Sequence, residues 1–85
     1  MTDHSLTLKI LTPEGSAFEG PVEAVFVPGS AGRFEVLPGH APIITTLTAG
    51  ELRWRAADGE KGTAVLSGAL MLKDDVLTVC ADLAK

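Results

Sequence analysis

An all-β fold is what this 85-residue sequence predicts, and two patterns carry the prediction. Apolar and polar residues alternate with a period of two along most of the chain, which sends successive side chains to opposite faces of a strand. No stretch holds an apolar stripe at helical spacing. Turn-forming residues break the alternation at intervals of about eight to twelve residues, the spacing of a β-sandwich or barrel.

The strands follow in order. Leu6, Leu8 and Ile10 alternate with Thr7 and Lys9. Thr12-Pro13-Glu14-Gly15 then suits a type I turn, with proline fixing φ at the second position and glycine at the fourth. A short strand is predicted at residues 16–19. Val22, Ala24 and Phe26 alternate with Glu23, Val25 and Val27, a strand with apolar neighbours on both faces. Phe34 and Val36 alternate with Arg33 and Glu35. Leu37-Pro38-Gly39-His40 suits a type II turn, because Gly39 can take the positive φ of the third position. Pro42 holds Ala41 extended and cannot donate a ladder bond. Leu52 and Trp54 alternate with Glu51, Arg53 and Arg55, a half-solvated strand that places Trp54 in the core. Asp58-Gly59 reads as a hairpin tip and Asp74-Asp75 as an exposed turn. Residues 64–66, 69–73 and 76–81 supply three more strands, for a total of nine or ten. No internal repeat or low-complexity tract is present.

Composition narrows the function classes. Hydrophobic residues at 46% and charged residues at 21% suit a folded globular chain rather than a disordered one. A chain this short buries only roughly 60–65% of its unfolded surface, so partner contacts have room to add stability. Eleven acidic against seven basic residues give a net charge of −4, which argues against nucleic acid, as do the absence of Tyr and the few other rings. The longest apolar runs, residues 24–27 and 69–72, are four residues each, whereas a membrane-spanning helix needs about twenty. The opening Met1-Thr2-Asp3-His4 is acidic and carries no apolar stretch, so no secretory signal is predicted. A single cysteine, Cys80, cannot form an internal disulfide and fits a reducing compartment. The expectation is one cytoplasmic domain, residues 1–85.

Catalytic chemistry has little to stand on. His4 sits near a terminus and is assigned no role. His40 is held between Pro-Gly and Ala-Pro and admits two readings, a surface imidazole bonded across its turn or a contact at a partner interface. A general base needs a nucleophile within reach, and no Ser/His/Asp arrangement suggests one. Cys80, in Leu77-Thr78-Val79-Cys80-Ala81 without a neighbouring cation, reads as a small buried hydrophobe. Gly29-Ser30-Ala31-Gly32 lacks the lysine and helix of a phosphate loop. Asp74 and Asp75 offer too few oxygens for calcium. No catalytic residue, metal or cofactor is predicted. What stands out is residues 27–47, where Gly29, Gly32, Pro38, Gly39 and Pro42 shape the turns and Arg33, Glu35 and His40 are the only ionisable groups. Rigid turns lose less entropy on docking, so this stretch is the candidate interaction surface.

Here a resemblance enters. Gly32-Arg33-Phe34-Glu35-Val36-Leu37-Pro38-Gly39-His40-Ala41-Pro42-Ile43-Ile44-Thr45 resembles the signature of the epsilon subunit of the F-type ATP synthase. Leu8-Lys9-Ile10-Leu11-Thr12-Pro13, Phe18-Glu19-Gly20-Pro21-Val22-Glu23, Ser67-Gly68-Ala69 and Val76-Leu77-Thr78-Val79 with Ala81-Asp82 match further pieces in the same order. The resemblance implies a ten-stranded antiparallel sandwich of two stacked sheets, without cofactor or bound nucleotide. It implies a non-catalytic rotor subunit at the foot of the central stalk, on the cytoplasmic side of a bacterial membrane but not inserted in it. There it would pack on the gamma subunit and rest on the c-ring, passing on torque from proton flow.

By the same resemblance Thr12, His40 and Thr45 match positions facing gamma, and Ser30 and Arg33 match the loop that meets the c-ring. Three residues depart from the family pattern. Arg33 stands where many bacterial relatives carry an acid, Glu35 where a glycine is common, and Ala69 where a second glycine is frequent. The C-terminal helical pair of most members, which restrains ATP hydrolysis, is expected to be absent, and helix-mediated inhibition with it. Two other classes serve as alternatives. A biotinyl or lipoyl carrier would present Lys61, whose Gly59-Glu60-Lys61-Gly62 setting lacks flanking Met or Ala. An oligonucleotide-binding barrel conflicts with the charge and the missing rings.

Overall fold

In the computed structural model, residues 6–84 are described; the readings for Met1 to His4 and for Lys85 lie outside them. Eight strands run β1 (Leu6–Thr12), β2 (Gly15–Val22), β3 (Ala24–Gly29), β4 (Gly32–Val36), β5 (Ile43–Leu47), β6 (Gly50–Ala56), β7 (Gly59–Lys73) and β8 (Val76–Leu83), and no helix occurs among the described residues. The all-β expectation holds, with eight strands rather than nine or ten. Residues 64–66 and 69–73, read as two strands, are one 15-residue strand. The Leu66–Ser67 step that breaks the alternation is a bulge in the β7–β8 ladder and does not end it.

The long β7 joins the two layers. Its first part pairs with β6, from Gly50↔Val65 to Ala56↔Gly59, and its second with β5, from Ile43↔Leu72 to Leu47↔Gly68. One layer is therefore β2-β1-β8-β7-β5, and the other runs through β4-β3-β6 to the start of β7. Phe18 of β2 meets Trp54 of β6 between them, ring centroids 4.9 Å apart at 42°. One pairing departs from the antiparallel expectation. β1 and β8 are parallel, from Thr7↔Val76 to Leu11↔Cys80. A parallel pair needs a long crossover, and six intervening strands supply it.

The inward positions of the alternation fill the core: Leu6, Leu8 and Ile10 of β1, Leu52 and Trp54 of β6, Leu70 and Leu72 of β7, and Leu77 and Val79 of β8, with Val25, Val27 and Val36 from the second layer. Burying each such Leu or Val contributes about 1.5–3 kcal/mol. Cys80 corrects its reading. It is exposed, because Val79 and Ala81 take the inward positions on either side of it. A flanking apolar run does not reveal parity, whereas the strand does.

The turns are specific. Asp74 and Asp75 have φ of 51° and 62°, as a two-residue type I′ hairpin turn requires. Between β6 and β7 the turn residues are Ala57 and Asp58, one position earlier than read. At Gly68 an added Cβ would lie 2.8 Å from Ala81 Cα and overlap the Cys80 carbonyl oxygen, so only glycine lets β7 approach β8 there.

Candidate functional site: an exposed apolar sheet face

The two layers present chemically different outer faces. Register places Ile44 beside Met71 and Thr78, and Thr46 beside Ala69 and Cys80 and, across the parallel pair, Leu11. The Thr46–Ala69–Cys80–Leu11 row carries no charge, and the Ile44–Met71–Thr78 row meets one only where Lys9 of β1 joins it. Ile44 is 82% exposed, Met71 49% and Leu11 37%, so large apolar groups stand in solvent on one sheet face. Apolar surface gathered in this way marks an interaction site more often than a scattering of single residues does.

Across the sandwich the outer side of β6 is lined with ion pairs. Arg53 pairs with Glu60 and, at 3.8 Å, with Glu51, and Arg55 lies 3.4 Å from Glu23; Lys61, on the opposite parity beside Trp54, lies 3.4 Å from Asp58 at the strand ends. These side chains are 42–69% exposed, so the pairs are worth little in stability. They leave that face well solvated.

The residues singled out from sequence separate into three groups. Ser30 and Arg33 come together at the β3–β4 turn. Ser30 N–H donates to the Thr46 carbonyl at 3.0 Å, its hydroxyl accepts from Thr46 Oγ1 at 2.8 Å, and Arg33 Nη2 donates to the Glu51 carbonyl at 3.2 Å. Both side chains thus brace the turn against β5 and β6. Gly29 closes it where any Cβ would lie 2.8 Å from the Gly32 carbonyl, and Gly32 takes φ 137°. Thr12 ends β1, where its hydroxyl donates to the Gly15 carbonyl at 3.0 Å and accepts from Glu14 N–H at 3.2 Å, so it shapes the β1–β2 turn. His40 is exposed in the β4–β5 segment that Pro38, Gly39 and Pro42 shape. Its Nδ1 lies 2.7 Å from the Ala41 carbonyl, a bond to the next residue rather than across the turn. Gly39 has the positive φ expected, 83°.

Thr12, His40 and Thr45 do not form one cluster. Thr12 lies beyond the Leu11–Cys80–Ala69–Thr46 row, and His40 beyond the Ile43–Leu72–Leu77 row at the other end of the layer. Thr45 lies between them but pairs with buried Leu70 on the core-facing parity, half-buried itself. The residues that sequence reasoning missed are Ile44 and Met71. The signal was there: in a strand beginning Ile43-Ile44, one isoleucine must point outward. Among the described residues no group of three or more His, Cys, Asp or Glu is placed to hold a metal, and no helix is long and apolar enough to cross a membrane.

Comparison with known proteins identifies this sandwich. Residues 5–85 match the family model of the ATP synthase Delta/Epsilon chain β-sandwich domain. The chain belongs to that family. Similar Delta/Epsilon proteins include the ATP synthase epsilon chain of Leptospira borgpetersenii, 35% identical over 82 residues, 96% of this chain and 65% of that protein. The ATP synthase epsilon chain of Synechococcus sp. WH7803 is 37% identical over 81 residues, 95% of this chain and 60% of that one. The chain thus spans 60–65% of the length of these two relatives. Among solved structures, a chain of the Euglena gracilis mitochondrial ATP synthase superposes with a TM-score of 0.88 at 18% identity, over 99% of this chain and 55% of that one. A chain of the Tetrahymena thermophila mitochondrial ATP synthase central stalk and c-ring does so with 0.78 at 13% identity, over 100% and 69%. At such identities the likeness shows the fold alone.

Proposed function

We propose that this chain is the β-sandwich of a non-catalytic central-stalk subunit of a bacterial F-type ATP synthase, held on the cytoplasmic side of the membrane by its partners. In this reading it couples the c-ring to the gamma subunit during proton-driven synthesis and turns over no substrate. The exposed apolar face of β5, β7, β8 and β1 docks gamma, and the braced β3–β4 turn meets the c-ring.

The observation that carries the reading is the 82% exposure of Ile44 beside 49%-exposed Met71 on one sheet face, within a family whose similar members are named as ATP synthase epsilon chains. A stiff sandwich suits the task, because close-packed interiors transmit strain with little compression. The β3–β4 turn supports it too, since Ser30 and Arg33 hold its tip rigid and leave Ala31 and Gly32 outermost and exposed.

Co-purification tests the proposal. The tagged chain, recovered from detergent-solubilised membranes of its own host, brings down gamma and the c-ring; recovery of neither contradicts the reading. Reconstituted ATPase activity measured with and without the chain is expected to change little, and strong inhibition would oppose a purely coupling role for the sandwich.

A further inference from the structure

Residues 37–42, between β4 and β5, are barely anchored by packing: Pro38 is half-buried and the other five are exposed. Their internal bonds are local. His40 N–H closes the turn on the Leu37 carbonyl at 3.1 Å, and the His40 ring bonds the Ala41 carbonyl. In a type II turn the central peptide is flipped, so the N–H of the third residue points away and finds no partner inside the turn. Here that donor is Gly39 N–H, and it reaches Asp75 Oδ1 at 2.7 Å. Asp75 sits in the β7–β8 turn, and its carbonyl also accepts Thr7 N–H at 2.8 Å, which fixes it to the start of β1. Among the described residues, the Gly39–Asp75 bond is the hydrogen bond that ties this segment to another element.

We propose that Asp75 is a positioning residue for the β4–β5 segment: its carboxylate holds the His40-bearing turn in one conformation before a partner arrives. The proposal rests on the reading that gamma docks at this end of the apolar face. A segment already ordered loses less entropy on binding, so the effect belongs mainly to association.

Two substitutions separate the acceptor from the backbone. Asp75→Asn keeps an acceptor oxygen on a residue that tolerates positive φ. Asp75→Gly accepts the φ of 62° without strain and deletes the acceptor. Three quantities are measured on the full chain: amide exchange at Gly39 by NMR, the urea midpoint, and the association rate with purified gamma from the same host. Asp75→Gly is expected to lower the urea midpoint by no more than one hydrogen bond accounts for, exchange Gly39 about tenfold faster and bind gamma several-fold more slowly, with Asp75→Asn restoring the last two. Unchanged exchange at Gly39 in Asp75→Gly overturns the proposal. So does faster exchange with an unaltered association rate, failure of Asn to restore it, or a fall in the urea midpoint well beyond one hydrogen bond, which would make Asp75 merely structural. If the wild-type chain fails to bind gamma, the docking reading falls, and exchange at Gly39 still decides whether Asp75 holds the turn.

Discussion

Ile43 and Ile44 are the same residue type one position apart, yet Ile43 packs against the core and Ile44 stands 82% exposed. Strand parity alone separates them, and Cys80 differs from buried Val79 for the same reason. Composition around a residue says that it lies in a strand; only the register says which way it points. That is why Trp54 was legible, flanked by charges that mark the outside, whereas Cys80 was not. Trp54 is 6% exposed and its Nε1 has no hydrogen-bond partner among the described residues. A buried unpaired donor is a cost already present in the folded state. Trp54→Phe is therefore expected to stay within about 1 kcal/mol of the parent in urea unfolding, the lost volume offset by removal of that N–H. Gly68→Ala should behave in the opposite way. Its methyl group would collide with the backbone of β8, and a loss of about 2–3 kcal/mol is expected in the same measurement.

Elements were read well where turn chemistry is explicit. The β4–β5 turn follows from Pro38-Gly39, and the observed φ of 83° at Gly39 agrees. The β7 strand was split in two because a bulge and a loop share the same sequence signal, a small flexible residue amid apolar ones. What distinguishes them is the partner strand, and β8 continues its pairing from Val65↔Leu83 to Ser67↔Asp82 past the step. The β7–β8 hairpin carries two aspartates at positive φ, where asparagine is the better tolerated residue. Asp74→Asn is expected to raise stability by about 0.5 kcal/mol, read as a higher urea midpoint at unchanged slope. A lower midpoint would mean that Asp74 makes a contribution beyond turn geometry.

At the scale of the molecule, the parallel β1–β8 pair was beyond sequence reasoning, because adjacency of the first and last strands depends on every strand between them. The same long-range pairing assembles the apolar face: Ile44, Met71, Cys80 and Leu11 come from four strands that no local pattern connects. The family's fold was readable from the Pro-Gly-His-Ala-Pro segment, yet the residues matched to partner contacts brace turns in this chain, as Ser30, Arg33 and Thr12 do. In the proposed reading, function at this scale is a difference between faces, one lined with ion pairs around Arg53 and Arg55 and one that exposes Ile44, Met71 and Leu11. The dissociation constant of purified gamma for the wild-type chain and for Ile44→Asp, compared at matched urea midpoints, tests that claim most directly. Ile44 is exposed before docking, so its substitution should leave the fold intact and weaken gamma binding at least about tenfold. Equal affinity of the two proteins for gamma would contradict the assignment of this face.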